Sequence, residues 1–77
     1  MRAHRKVSIT VARQYSMIAQ ALEDRRWRTT NGIADAVPWS VRTVWDRLCE
    51  MEARGLVRSR RQRTDQAVTE VHWRACE

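Results

Sequence analysis

The 77-residue sequence predicts a small α+β domain in which three helices are followed by a two-stranded β-hairpin. Apolar residues recur at helical spacing in three segments before Gly55, and the spacing changes to a period of two after it. A chain of this length forms one domain. We expect residues 8–77 to form that domain and residues 1–7 to be a flexible basic arm.

The first two helices have recognisable start and stop signals. Ser8 is a suitable N-cap for the first helix, whose apolar stripe consists of Val11, Tyr15, Ile18 and Leu22. Trp27 follows among arginines, where we expect it to close the corner between two helices; the alternative is stacking on a nucleic-acid base. Thr29 or Thr30 caps a short second helix that runs through Val37, and Pro38 ends it.

The third helix, residues 39–54, has Ser40 as its N-cap and ends at Gly55 in the left-handed conformation. Its inward residues are Val44, Leu48 and Met51, and its expected surface ion pairs are Arg42 with Asp46 and Glu50 with Arg54. After Gly55, residues 56–60 and 68–74 alternate as strands, and residues 62–66 are a polar loop.

The charge balance favours a polyanionic partner. The chain has 15 Lys and Arg residues against 9 Asp and Glu, a net charge of +6. Residues 1–28 carry seven basic and two acidic residues, whereas residues 29–54 carry three and four. Almost all basic residues are arginine, which suits phosphate and guanine, although a GC-rich genome also enriches arginine.

Other function classes find no support in the sequence. No apolar run is long enough to span a bilayer, and the first residues lack the apolar core of a signal peptide. Cys49, Cys76 and two distant histidines lack the spacing of a zinc site. No phosphate-binding glycine loop or catalytic triad is visible. We expect a cytoplasmic, nucleoid-associated protein that is not an enzyme and has no cofactor, membrane partner or small-molecule ligand.

The link between the second and third helices is only residues 37–39, which forces a steep crossing. Residues 27–57 resemble the winged helix-turn-helix superfamily of bacterial and phage transcription regulators, and the resemblance extends over residues 8–75. It is carried by Ser40, Thr43, Val44, Leu48, Met51, Gly55, Leu56 and Val57. The family often has a glycine with positive φ in the turn, where this chain has Pro38, so the turn must adopt another geometry.

The resemblance implies sequence-specific binding of double-stranded DNA by a small phage- or plasmid-like transcription regulator or architectural factor. The helix at 39–54 would lie in the major groove, and the wing at 58–66 would contact the backbone or minor groove. The implied DNA-binding residues of the helices are Thr30, Asn31, Ser40, Val41, Arg42, Thr43, Trp45 and Arg47. Those of the wing are Arg58, Arg60, Arg61 and Arg63. One domain makes few phosphate contacts, so we expect a homodimer or cooperative binding.

The alternative is a protein-binding winged helix, such as a phage-type inhibitor of a host complex. Asp35 and Asp46 would be unfavourable near phosphates, and Trp45 would suit an interface. Trp45 has two further interpretations, packing under the wing and contact with DNA. Arg42 could only pair with Asp46, and Arg47 could only be solvated. Trp39 and Trp73 are expected in the core.

Overall fold

The computed structural model describes residues 9–76. Within that range the chain forms a winged-helix-like α+β fold with three helices and a three-stranded antiparallel sheet. The elements are α1 (Ile9–Ala21), β1 (Arg28–Thr29), α2 (Thr30–Asp35), α3 (Val41–Ala53), β2 (Val57–Arg63) and β3 (Thr69–Ala75). The predicted fold class is therefore confirmed, while the basic arm at 1–7 and the predicted cap Ser8 lie outside the described residues.

The sheet has one strand more than the hairpin predicted from the sequence. Its order is β1-β3-β2, and β3 pairs antiparallel with both neighbours. β1 contributes only two pairs, Arg28 with Trp73 and Thr29 with His72. Two residues are too few to show a period, so the prediction of two strands missed β1.

The hairpin is longer than expected. β2 continues to Arg63, which pairs with Thr69, so the prediction that a loop begins at residue 62 is wrong. The connection is closed by the Thr64 N–H, which donates to the carbonyl of Val68 at 2.9 Å, and it contains Ala67 with a φ of 62°. Because side chains alternate along a strand, the extension of β2 to Arg63 places Arg61 and Arg63 on the same face of the sheet as Ser59.

The caps and the turn between the last two helices agree with local sequence rules. Oγ of Thr29 accepts the Gly32 N–H, and Oγ of Ser40 accepts the Thr43 N–H, so these two residues are the N-caps of α2 and α3. Gly55 has a φ of 77°, as predicted for the residue after α3. Of the two proposed caps for α2, Thr29 is the one used, and Thr30 is the first helical residue.

α2 is shorter than expected, because it ends at Asp35 rather than reaching Val37. Its C-cap, Ala36, has a φ of −93°. Among residues 9–76 the positive φ angles belong to Arg25, Gly55 and Ala67, none of which lies between α2 and α3. The turn containing Pro38 therefore has no residue with a positive φ, as predicted.

The core lies between the three helices and the inner side of the sheet, and Trp73 is its largest buried side chain. The indole N–H of Trp73 donates to Oγ1 of Thr30 at 2.9 Å, and its ring meets that of Trp45 edge-on at 5.4 Å. Trp39 packs against the core, as expected. The other buried apolar residues are Ile18, Leu22, Ile33, Ala34, Val44, Leu48, Met51 and Val57. Trp73 thus attaches the sheet to both α2 and α3.

Candidate nucleic-acid interface

The first turn of α3 projects small and charged groups to solvent. Val41 is exposed, and the Arg42 side chain is 84% exposed. Nε of Arg42 lies 3.5 Å from Oδ1 of Asp46, the expected pair one turn along the helix. An exposed pair of this kind contributes only about 0.3–0.5 kcal/mol, so Arg42 can exchange Asp46 for another partner at little cost. Ser40 and Thr43 are joined by the cap and by a hydroxyl–hydroxyl hydrogen bond of 3.2 Å.

Arg47 differs from the expectation that it faces outward. Its side chain is only 19% exposed, and Nη2 lies 3.0 Å from Oε2 of Glu50. Nη1 also donates to Oε1 of Gln14 on α1, at 3.5 Å. Arg47 follows the inward residue Val44 by three positions, so it lies on the flank of α3 that packs against α1. It connects the two helices.

Glu50 forms a second link to α1 and replaces another expected pair. Tyr15 donates its hydroxyl to Oε1 of Glu50 at 2.5 Å. This hydrogen bond, followed by burial, raises the pKa of Tyr15 above its ordinary value. The predicted pair between Glu50 and Arg54 is wrong: the Arg54 guanidinium lies over the Tyr15 ring, 5.2 Å from its centroid. The C-terminal end of α3 therefore contacts α1 through Glu50 and Arg54.

Trp45 packs under the hairpin, which is one of its three proposed interpretations. It is half-buried, contacts Trp73 and lines a small pocket between α3 and β2 together with Cys49 and Arg61. Glu52 at the rim of this pocket accepts the Ser59 hydroxyl at 2.6 Å. The position of Trp45 is explained by packing alone.

The pKa of the Cys49 thiol depends on the environment of α3 beyond its first turn. Burial raises the pKa of this thiol, and the nearby carboxylates of Glu52, Asp46 and Glu50 raise it further. Beyond its first turn, the surface of α3 therefore has an acidic character. This is the opposite of what a phosphate-binding surface needs.

The two candidate residues of α2 have different environments. Thr30 accepts the Trp73 indole hydrogen bond and is half-buried, whereas Asn31 is exposed. Both line a shallow depression beside Glu70 and Val71 of β3. Asn31 is the more accessible of the two for a partner.

The four wing arginines do not form one cluster. Ser59 and Trp73 are directly opposite and face α3, since Ser59 bonds Glu52 and Trp73 contacts Trp45. Because side chains alternate, the neighbouring positions of each strand face away from α3. We call the side that carries Arg58, Arg60, His72 and Arg74 the outer face, and the side that carries Ser59, Arg61 and Arg63 the inner face.

The hairpin arginines also differ from those of α3 in their partners. Within residues 9–76, no carboxylate pairs with Arg58, Arg60, Arg61, Arg63 or Arg74; the ion pairs of that range use Asp24, Asp46, Glu50 and Glu70. Glu70 bonds Nε2 of His72 at 3.2 Å. The hairpin therefore carries the largest unneutralised positive charge of the described chain.

Trp27 was expected to close the corner between two helices, and that prediction is wrong. It is half-buried and belongs neither to the core nor to the apolar residues packed against it. The Arg60 guanidinium lies over its ring at 4.3 Å from the centroid, and the Arg74 guanidinium lies at 5.8 Å. Sequence reasoning missed both this stack and Arg74. Trp27 lies one residue before β1, which places it beside Arg74 on the outer face, and β1 itself has no signal in the sequence.

The segment before β1 is held by Asp24. Its carboxylate accepts the Arg26 backbone N–H at 3.1 Å and pairs with the Arg28 guanidinium. The backbone hydrogen bond, and then the contact with Arg28, lower the pKa of Asp24. These contacts fix the chain as it approaches Trp27.

An apolar groove of about 490 Å³ runs beside α1, and Leu56, Ala19, Cys76 and Met51 are among its lining residues. No helix of the described residues is long and apolar enough to cross a membrane.

No protein-family model and no curated protein matches this sequence. Among solved structures, the chain is similar to a possible transcriptional regulator from Methanosarcina mazei Go1, with a TM-score of 0.72 and 11% sequence identity. The match covers 91% of this chain and 57% of that chain, so this chain spans little more than half the length of its structural neighbour. At this identity the likeness shows a shared fold alone.

Proposed function

We propose that this chain is a member of the winged helix-turn-helix superfamily that binds double-stranded DNA as a small, phage- or plasmid-like transcription regulator or architectural factor. The observation that carries the proposal is the row of hairpin arginines that lack a carboxylate partner among residues 9–76. Unpaired arginines on a strand are the usual donors to phosphate oxygens. The similarity in fold to a possible transcriptional regulator supports the same conclusion.

In this proposal the first turn of α3 enters the major groove. Arg42 exchanges Asp46 for guanine O6 and N7, a contact that typically provides about 1–3 kcal/mol of discrimination. Val41 offers an apolar surface to a thymine methyl group, and Ser40 and Thr43 lie where phosphates flank the groove. Arg47 contributes indirectly, because its contacts with Glu50 and Gln14 set the position of α3 on α1.

The hairpin and α2 supply contacts that carry no sequence information. Arg61 and Arg63 on the inner face, and Arg58 and Arg60 on the outer face, bind the DNA backbone or the adjacent minor groove. Asn31 adds a polar contact from α2, and the half-buried Thr30 and Trp45 support the surface from beneath.

The proposal includes a homodimer or cooperative binding to adjacent sites, because one domain of this size reaches few phosphates. A symmetric dimer would select an inverted repeat. We place the protein in the cytoplasm, associated with the nucleoid, with residues 1–7 as a basic arm and with no enzymatic activity, small-molecule ligand or membrane partner.

The test is fluorescence anisotropy with a set of genomic DNA fragments at two salt concentrations. Wild type is compared with Arg42→Ala and with Arg13→Ala, which removes the same charge from an exposed position of α1. We expect wild type and Arg13→Ala to prefer one fragment, and Arg42→Ala to lose that preference while keeping salt-sensitive background binding. Equal preferences in all three proteins would contradict the role of α3.

A protein-binding winged helix is the second candidate, favoured by the carboxylates of Asp46, Glu50 and Glu52 on α3. The salt dependence separates the two functions. DNA binding weakens by about 0.9 log units per phosphate contact for each tenfold rise in salt. If no fragment binds with such a slope, the DNA-binding proposal fails and the search moves to a protein partner of α3.

A further inference from the structure

The outer face of the sheet holds a compact group of like charges around one aromatic ring. Arg60 on β2 and Arg74 on β3 both lie within 6 Å of the Trp27 ring centroid, at 4.3 and 5.8 Å. Arg58 is directly opposite Arg74 in the β2–β3 register. We call Trp27, Arg60 and Arg74 the arginine clamp.

This concentration of charge is not relieved within the described chain. Like charges directly opposite each other on a sheet repel and destabilise it, and Arg58 and Arg74 form such a pair. No carboxylate among residues 9–76 pairs with either of them or with Arg60. Glu70, the acidic residue of β3 on this face, is bonded to His72. An external anion would remove the repulsion.

The stacking leaves the donors of the clamp available. A cation–π contact draws on the charge of a guanidinium and not on its hydrogen-bond donors, and within residues 9–76 neither the Arg60 nor the Arg74 guanidinium forms a hydrogen bond. The ring also restricts the positions of both arginines, which reduces the entropy that they lose when an anion binds. The N–H groups of a guanidinium match the paired oxygens of a phosphate group.

The form of the surface favours a charged polymer over a protein. A protein interface is centred on exposed apolar or aromatic side chains. On the outer face the aromatic ring is Trp27, and Arg60 already covers it. The positive charge instead continues along the outer face to Arg58, which is directly opposite Arg74.

We propose that the arginine clamp binds the phosphodiester backbone of DNA, with Trp27 as the positioning residue and Arg60 and Arg74 as the phosphate donors. This inference rests on the proposed function for the identity of the partner. It extends the proposed backbone contacts of the outer face from β2 to Arg74 of β3, and it assigns a positioning role to Trp27.

The first experiment measures the salt slope of binding to a short duplex of random sequence. The double variant Arg60→Gln with Arg74→Gln is compared with the control Arg13→Gln with Arg54→Gln, which loses the same charge outside the outer face. We expect the slope to fall by roughly 1.8 in the clamp variant, about 0.9 for each lost contact, and by much less in the control. Equal slopes in the two double variants would overturn the proposal.

A second variant keeps the charges and removes the ring. Trp27→Leu leaves both arginines but takes away their platform, so we expect affinity for the random duplex to fall about two- to fivefold. Because Trp27 lies outside the core, this variant should unfold with the same midpoint as wild type. Unchanged affinity would contradict the positioning role.

The indole N–H resonances give a direct readout of the site. The chain has four tryptophans, and the Trp27 signal is identified by its loss in Trp27→Leu. We expect this signal to move on addition of the random duplex. Polyglutamate or anionic vesicles that moved it equally at the same concentration of negative charge would overturn the assignment to phosphodiesters.

These experiments distinguish a failure of the arginine clamp from a failure of the proposed DNA-binding function. If Arg42→Ala loses fragment preference while the clamp variant keeps the wild-type slope and the Trp27 signal stays in place, the clamp is wrong and the DNA-binding function stands. If the wild-type protein binds neither specific nor random duplexes, the DNA-binding function is wrong, and the clamp loses its assigned ligand with it.

Discussion

The arginines of α3 and its C-cap differ from those of the hairpin both in number and in what they contact. On α3, Arg42 pairs with Asp46, Arg47 pairs with Glu50, and Arg54 stacks on Tyr15. On β2, none of the four arginines has a carboxylate partner within residues 9–76. Residues 41–54 carry three arginines and three carboxylates, whereas residues 57–75 carry five arginines and two carboxylates, so the two regions differ in formal charge as well as in side-chain contacts.

The difference suggests a division of labour in the proposed DNA complex. Unpaired arginines provide long-range attraction and phosphate contacts, which depend on salt and ignore sequence. The first turn of α3 has little net charge, so its contribution depends on close contact with base edges. The following predictions are ordered by the size of the expected effect.

The largest loss of stability is expected when the contact that joins the sheet to α2 and α3 is removed. Trp73→Ala removes a buried ring that contacts Trp45 and bonds Thr30, so we expect the free energy of unfolding to fall by about 3–5 kcal/mol in urea titrations. Trp27→Ala, at a half-buried position outside the core, is the matched control and should cost far less. Similar losses in the two variants would mean that Trp73 does not hold the sheet to the helices.

A smaller loss of stability is expected when only the N-cap of α3 is removed. Ser40→Ala removes the oxygen that accepts the Thr43 N–H, and such a cap contributes about 1 kcal/mol. The unfolding midpoint measured by circular dichroism should therefore decrease. Ser16→Ala, at an exposed position inside α1, should stay within about 0.5 kcal/mol of wild type. If the two serine variants unfold together, the cap is not stabilising.

Removal of the carboxylate partner of Arg42 should leave this arginine unpaired, as the arginines of β2 are. Asp46→Asn removes its ion-pair partner, and an exposed pair of this kind contributes about 0.3–0.5 kcal/mol. We expect the affinity for DNA to rise by about twofold, and the gain to shrink at high salt because exposed charges are screened. Asp35→Asn makes the same charge change on α2. An equal gain there would show that net charge, and not the release of Arg42, is responsible.

The smallest effect concerns the reactivity of Cys49. The thiolate is the reactive form, and the raised pKa of this thiol means that less thiolate is present at a given pH. Alkylation of Cys49, followed by mass spectrometry across a pH series, should have its midpoint above that of free cysteine. Glu52→Gln should move the midpoint slightly downward. A midpoint at or below that of free cysteine would contradict the acidic character of this part of α3.

Features determined by neighbouring residues were predicted from the sequence. The cap at Ser40, the positive φ of Gly55 and the inward residues Val44 and Leu48 follow from contacts within one or two turns of chain. The same holds for the fold class, because the change of period at Gly55 marks the passage from helices to strands. Such rules need no knowledge of distant elements.

Features determined by distant partners were missed. The two residues of β1 form a strand only because Trp73 and His72 lie beside them. Arg47 turns inward because Gln14 and Glu50 accept its donors, and the first of these lies 33 positions away. Trp27 stacks on Arg60 across the sheet. The sequence shows the types of these residues but contains no local signal for the pairing.

The alternation of β2 has a consequence for how this hairpin can change in length. Arg58 and Arg60 lie an odd number of residues after Val57, and Arg61 and Arg63 lie an even number after it. Since successive side chains of a strand point to opposite faces, the two pairs lie on opposite sides of the sheet. Insertion of one uncharged residue after Val57 that kept Val57 paired with Ala75 would send every arginine of β2 to the opposite side without altering the net charge. An insertion of two residues would leave the assignment intact. Relatives with hairpins of different length should therefore differ by even numbers of residues in each strand if the two sides have separate roles.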